Sequence, residues 1–274
     1  MYVVLNGKFV EEKRAMVPVT DHGFLFGDGI YETLRTYGGK VWQIDEHLKR
    51  LAVSAALLKI GLPWGREKIA SWVNGLVKRS GFMESRIRIT VTRGSNGMVF
   101  TDSKKPTILI QAAELKPQAS AIYKNGVPVI TLKMKRILPE AKTISLLPMV
   151  VAWQKIAEKR VFEAIYVDEK NRVLEGTVTN VYIVKRGIVY TPAKGVLPGT
   201  TLMALKKAAA RVGIKVLRRD FTVGVLRNAD EVFITNAPRG IVPVCGVDGI
   251  KIGRPGAITK KLMKAFESYI CQNI

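Results

Sequence analysis

Cysteine is nearly absent from this 274-residue chain: Cys245 and Cys271 are the only two. They stand far apart, with no CxxC pair and no histidine at metal-ligand spacing, so the pattern argues against a disulfide framework and a zinc site and reads as two free thiols. No metal is expected. No apolar run approaches the length that crosses a bilayer, and the opening Met-Tyr-Val-Val-Leu-Asn-Gly-Lys-Phe-Val lacks the basic-then-apolar order of a secretion signal. Both absences predict a cytoplasmic protein with no membrane partner. Neither an internal repeat nor a low-complexity tract is visible. Acidic residues are scarce: 22 Asp and Glu against 44 Lys and Arg give a formal net charge of +22. A field of that sign attracts small anions, and nucleic acid non-specifically. The basic residues are nonetheless spread through every segment, without a dense run or an aromatic-interleaved RNA motif. The charge therefore reads as a solvated surface, and no specific nucleic-acid partner is expected.

What is present supports a sizeable core, since 47% of the residues are hydrophobic, and the length suits two domains. Val3 to Leu5 and Phe9 to Val10 flank Asn6-Gly7, a dipeptide that accepts the positive φ angles of a tight hairpin. Ile30 to Tyr37 and Val41 to Gln43 read as a second hairpin across Gly38-Gly39. Asp45 then reads as the cap of a helix whose Leu48, Leu51, Ala52 and Ala55 share one face. A helix over Arg66 to Ser80 and strands over Arg86 to Thr92 and Thr107 to Ala112 complete an α+β unit. Residues 114–126 show neither period and carry Pro and Gly, so they read as a linker between an N-terminal domain, 1–113, and a C-terminal α/β domain, 127–274. In the latter, strands at Val127 to Lys133, Ala164 to Val167, Val181 to Val184 and Glu231 to Ile234 alternate with helices at Leu147 to Lys159, Thr201 to Val212 and Ile258 to Cys271.

Two features carry chemistry. Pro198-Gly-Thr-Thr201 precedes the apolar-periodic Leu202, Leu205, Ala208, Ala209 and Val212, which places backbone N–H groups at a helix start whose dipole favours an anion such as phosphate. Thr200 as a simple cap is the alternative. Lys142 and Glu175 offer an amine and a carboxylate to opposite ends of one aromatic cofactor, pyridoxal 5′-phosphate (PLP). The lysine would form a Schiff base with its aldehyde, and the carboxylate would hold the pyridinium nitrogen protonated.

The segments Asp21-His-Gly-Phe-Leu-Phe-Gly-Asp-Gly-Ile-Tyr-Glu32, Glu46-His-Leu-Lys-Arg50, Ala141-Lys-Thr-Ile-Ser-Leu-Leu147, Leu174-Glu-Gly-Thr-Val-Thr-Asn180, Leu197-Pro-Gly-Thr-Thr201 and Glu231-Val-Phe-Ile-Thr-Asn236 occur in one order and spacing. That order resembles the class IV aminotransferases, which include D-amino-acid aminotransferase, branched-chain aminotransferase and aminodeoxychorismate lyase. The resemblance implies a two-domain fold-type IV PLP enzyme, with the cofactor in the cleft between the domains and Lys142, the catalytic lysine, in the C-terminal one. It also implies a homodimer acting on amino acids and keto acids. Arg50 matches the family's phosphate arginine, Glu175 its pyridinium partner and Leu197 a residue packed on the ring. Asn180 would orient the Glu175 segment. Gly199, Thr200, Thr201, Asn236 and Ala237 fall among the cofactor-binding positions. Tyr31 and Arg93 match substrate-side positions, and Arg239 is a candidate for the substrate carboxylate because the neighbouring Pro238 has no N–H to donate.

Several positions depart from the pattern. Leu202 stands where the family has arginine, Leu147 replaces the tyrosine of branched-chain enzymes, and Met98-Val99-Phe100 lacks the Arg-x-His pair of the D-amino-acid branch. Asn236-Ala237 resembles the lyase branch, but Ser145 replaces that branch's asparagine. The leading expectation is an aminotransferase for branched-chain, other apolar or D-amino acids. Formation of 4-aminobenzoate and pyruvate from aminodeoxychorismate is the alternative.

Overall fold

The computed structural model describes residues 1–100 and 105–274. Contacts divide the chain into one unit of Met1–Lys116, Ala141–Leu146 and Ile274, and a second of Pro117–Glu140 and Leu147–Asn273.

In the first unit, β1 (Tyr2–Leu5) and β2 (Lys8–Glu11) form the expected hairpin, with Asn6 and Gly7 both at positive φ, 50° and 82°. Next come α1 (His22–Phe26), β3 (Gly29–Tyr37), β4 (Lys40–Val41), α2 (Ile44–Leu57), α3 (Arg66–Ser80), β5 (Ser85–Thr92) and β6 (Thr107–Glu114). The strands make a six-stranded antiparallel sheet in the order β2-β1-β6-β5-β3-β4. Period-2 alternation turns Ile30, Leu34, Ile87, Ile89, Val91, Ile108 and Ile110 inward, against Leu48, Leu51 and Ala55 of α2 and Ile69, Trp72, Val73 and Leu76 of α3. Each large apolar side chain so buried contributes about 1.5–3 kcal/mol relative to exposure. Asp45 does not cap α2. The helix starts two residues earlier than such a cap requires, at Ile44 behind Gln43 in the left-handed region (φ 51°), and Asp45 lies inside the first turn, where its charge meets the helix dipole.

Residues 141–146 belong to this first unit, whereas the sequence reading placed Lys142 in the C-terminal domain. The reason is backbone satisfaction along β3. Strand β4 pairs only with Thr36 and Tyr37, and the opposite end of that edge is paired by the lysine segment. Tyr31 N donates to Lys142 O (2.8 Å), Ile144 N donates to Gly29 O (2.9 Å), and Thr143 bridges Ile30.

The second unit opens with α4 (Ser120–Asn125), inside the stretch expected to be a linker; its Ile122 and Tyr123 pack on the second core. There follow β7 (Val127–Lys133), α5 (Leu147–Lys159), β8 (Glu163–Val167), β9 (Val173–Gly176), β10 (Asn180–Lys185) and β11 (Ile188–Thr191). The chain continues through α6 (Thr200–Arg211), β12 (Val216–Arg218), α7 (Val223–Arg227), β13 (Glu231–Asn236), β14 (Gly240–Val247), β15 (Ile250–Lys251) and α8 (Ala257–Gln272). Nine strands form a mixed sheet, β12-β11-β10-β13-β14-β7-β8-β9, with β15 on β14. The pairings bring the starts of β7, β8, β10 and β14 and the ends of β9 and β13 to one edge. Among the described residues, no helix is long and apolar enough to cross a membrane, and no group of His, Cys, Asp and Glu is arranged to hold a metal.

Candidate active site

Lys142 is fixed by its main chain. Its N–H donates to Ser54 Oγ (3.1 Å) and its carbonyl accepts from Tyr31. Among the described residues its Nζ has no ion pair or hydrogen bond; it rests over the Tyr31 ring, 4.5 Å from the centroid. The Arg88 guanidinium lies against the same ring at 4.0 Å.

On the opposite face of β3 the neighbouring Glu32 is fully buried. It accepts from Arg50 Nε on Oε1 (2.7 Å), and from Arg50 Nη2 (2.6 Å) and His47 Nδ1 (2.7 Å) on Oε2. Burial acts to raise this carboxyl, but the charge and hydrogen bonds of Arg50, followed by those of His47, outweigh it and hold the group at about 2. An ionised carboxylate only accepts, so His47 carries its proton on Nδ1. Burial holds the imidazole below its ordinary value against the raising effect of Glu32, with Arg50 and Lys142 pushing the same way as burial. The ring is therefore neutral near pH 7.

Arg93, expected on the substrate side, is held in a buried clasp. It is 4% exposed. Its Nε and Nη2 clasp Asp28 (2.5 and 3.2 Å), while Nη1 and Nη2 donate to the Lys59 and Leu58 carbonyls (3.1 and 2.8 Å) just past α2. A helix C-terminus offers unsatisfied carbonyls and partial negative charge, and Arg93 neutralises both.

In the second unit the two Glu175 oxygens each accept one hydrogen bond. Arg136 Nε reaches Oε1 (2.7 Å) and Leu197 N reaches Oε2 (3.0 Å). Asn180 Nδ2 donates to Leu197 O (3.0 Å) and so anchors the loop before α6. Gly199 closes the loop as N-cap of α6. A Cβ there would lie 2.1 Å from Asn180 Oδ1, which explains the glycine. Thr200 is the first helical residue rather than the cap, and Gly199 brings no side chain to the first-turn amides. The turn 176–179 is shaped by Glu163, a buried carboxylate accepting from Ala164 N (2.9 Å), Thr177 N (3.1 Å), Thr177 Oγ1 (2.6 Å) and Thr179 Oγ1 (3.1 Å).

Asn236 ends β13 on the same sheet edge, and Ala237 opens the turn to β14. Asn236 Oδ1 accepts from Arg239 N (2.9 Å), and the Arg239 guanidinium lies over the Phe162 ring at 4.9 Å. Tyr31, Arg50 and Lys142 thus gather in the first unit. Glu175, Leu197, Gly199, Thr200 and Thr201 gather in the second, with Asn236, Ala237 and Arg239 along its edge.

The chain matches the family described as Amino-transferase class IV over residues 29–247. It is also 37% identical over 278 residues to a putative branched-chain-amino-acid aminotransferase of Methanocaldococcus jannaschii, spanning 97% of this chain and 96% of that protein. The chain belongs to the class IV aminotransferase family. A second relative is D-alanine aminotransferase of Listeria monocytogenes serotype 4b, 34% identical over 281 residues, 99% of this chain and 97% of that one. The fold is similar to that of the branched-chain amino acid aminotransferase of Escherichia coli, with a TM-score of 0.91 at 25% identity over 98% of this chain and 94% of that chain.

The aminotransferase is therefore a fold-type IV enzyme that depends on PLP and moves an amino group between an amino acid and a 2-oxo acid. Its residues fit that cofactor. Lys142 offers an amine without an ion pair among the described residues, Glu175 a carboxylate with lone pairs left after two hydrogen bonds, and α6 a helix start whose cap, Gly199, makes no side-chain hydrogen bond to the first turn. Neither the geometry nor these relatives favours the lyase alternative. Glu32, His47, Arg88, Arg136 and Glu163 were not singled out in the sequence. Glu32 did carry a signal, since period 2 puts it on the face of Ile30 and Leu34, where a charge needs a partner.

Proposed function

We propose that Lys142 is the catalytic lysine, that Glu175 holds the ring nitrogen of PLP, and that Arg50 and the α6 start at Gly199, Thr200 and Thr201 hold its phosphate. The single observation that carries this reading is Lys142 itself, pinned on β3 through its backbone while its amine makes no ion pair or hydrogen bond among the described residues. When bound, PLP supplies an electrophilic carbon and an electron-accepting ring. Lys142 Nζ would take the substrate Cα proton and hold it for return. Glu32 takes the Nε–Nη2 side of the Arg50 guanidinium and so sets the direction of its remaining donors, which we assign to the phosphate oxygens. Leu197 packs against the ring, and Asn236 at the end of β13 and Ala237 in the following turn contribute to the cofactor side.

For the substrate, Tyr31 and Arg88 bring an aromatic face and a fixed cation next to the reacting amine. That cation suits the second carboxylate of a dicarboxylic oxo acid such as 2-oxoglutarate, and we pair it with branched-chain or other apolar amino donors. Arg239 is assigned to the substrate carboxylate, replacing the donor that Pro238 lacks. The enzyme works as a cytoplasmic homodimer. Support for self-association comes from exposed Phe24, Leu25, Met98 and Val99 around the Phe26–Phe100 ring contact (centroids 5.2 Å apart), a patch of the kind that marks interfaces.

Mixing the PLP-loaded enzyme with single amino acids and following its absorbance tests the assignment. Conversion to the aminated cofactor with L-leucine, L-valine and L-glutamate is expected. Conversion with D-alanine alone would overturn the substrate class. Pyruvate released from aminodeoxychorismate without a 2-oxo acid would restore the lyase reading.

A further inference from the structure

We propose that Arg136 is a positioning residue for the transamination, acting by aiming the Glu175 carboxylate. The proposal rests on the assignment of Glu175 to the ring nitrogen of PLP. Arg136 lies in the stretch after β7 that forms no helix or strand, yet its side chain is largely buried. The arginine fork explains that order. Its Nε donates to Glu175 Oε1 at 2.7 Å, and its Nη2 donates to the Pro139 carbonyl, so one planar group ties the carboxylate to a fixed point of the loop. The other oxygen is held by Leu197 N at 3.0 Å.

A carboxylate at the end of a glutamate rotates broadly about its last torsion. Bonds to different oxygens from two separate chain segments stop that rotation and fix the direction of the remaining lone pairs. A hydrogen bond to a ring N–H depends on that direction. Lysine would bring the charge without the fork. A carboxylate held by Leu197 alone would keep one free oxygen and swing about the other.

The test uses the enzyme loaded with PLP labelled with ¹⁵N at the ring, in wild type, Arg136→Gln, Arg136→Lys and Glu175→Gln. In Arg136→Gln the ring resonance is expected to move toward that of unprotonated pyridine. At the same time kcat should fall about 10- to 100-fold, the effect of one hydrogen bond to a charged group, with KM for the amino donor within about twofold. Arg136→Lys is expected to fall between the two in both readouts.

A wild-type resonance in Arg136→Gln, with only a lowered melting temperature, would reduce Arg136 to a loop anchor and overturn the proposal. If Arg136→Gln does not fold, a wild-type resonance and kcat in Arg136→Lys overturns it equally, since the fork is then dispensable. Glu175→Gln separates the two claims. If it leaves the resonance unmoved, the Glu175 assignment fails and the Arg136 proposal falls with it. If it moves the resonance and the Arg136 variants do not, only the Arg136 proposal falls.

Discussion

Glu32 grips Arg50 with both carboxylate oxygens, Oε1 to Nε at 2.7 Å and Oε2 to Nη2 at 2.6 Å. Glu32 is fully buried and the Arg50 side chain is 10% exposed; His47 completes the cluster, so the direction of the Arg50 fork is set by an anion it cannot leave without stranding a buried charge. Glu32→Gln removes that anion. We expect PLP affinity to fall about tenfold or more, measured by titrating the apoenzyme, because a hydrogen bond to a charged group is worth about 1.5–3 kcal/mol.

The same residue predicts an acid limb in stability. A carboxyl lowered from 4.5 in the unfolded chain to about 2 in the fold contributes stability that is complete above pH 5 and is lost as pH falls toward 2. The contribution is on the order of 3 kcal/mol, since one pKa unit is about 1.4 kcal/mol. Urea unfolding at pH 7, 5 and 3 should show the wild type losing more stability than Glu32→Gln over that range. Parallel curves would contradict the reading.

Arg88 should discriminate between acceptors. With Arg88→Met we expect KM for 2-oxoglutarate to rise about tenfold or more, and KM for pyruvate to stay within about twofold, because only the former brings a second carboxylate to that cation. Arg239→Ala should instead raise KM for both. An equal effect of Arg88→Met on the two acids would place the second carboxylate elsewhere.

Gly199→Ala tests the loop before α6. The new Cβ meets Asn180 Oδ1 at 2.1 Å, so Asn180 must move and release Leu197 O. Overpacking of this kind costs about 1–3 kcal/mol, which thermal unfolding will register. Adding Asn180→Ala should recover part of the stability but not the cofactor affinity. Full tolerance of Gly199→Ala would show that the loop relaxes freely.

Arg93 separates a structural clasp from a substrate contact. Arg93→Ala leaves Asp28 without its cation, and breaking a buried pair costs about 3–5 kcal/mol. The unfolding midpoint should drop, with KM for amino and oxo acids unchanged within about twofold in the folded fraction. A large rise in KM at unchanged stability would return Arg93 to the substrate side.

Regular periodicity was readable in the sequence where it ran long. Helices α3 and α5 and strand β7 end at the residues that their apolar patterns suggested, and the Asn6-Gly7 turn follows from two residues that accept positive φ. Strand β9 is four residues ending in Glu-Gly, and β14 contains Pro243 and Gly246. Their local chemistry argues against strand, and neighbouring strands supply the pairing that overrides it. At the site, motif residues such as Lys142, Glu175 and Gly199 announced themselves. Their supports did not. Arg136, Glu163 and His47 act on partners remote in sequence, and a lone Arg, Glu or His carries no local mark of that.

The lysine that bonds to the cofactor decides the rest of the site. Borohydride reduction of the PLP-loaded enzyme, followed by proteolysis and mass spectrometry, should find the phosphopyridoxyl adduct on Lys142, and Lys142→Ala should carry no adduct and lose turnover. An adduct on Lys133, Lys135 or Lys155, or full activity in Lys142→Ala, would contradict the assignment of Lys142.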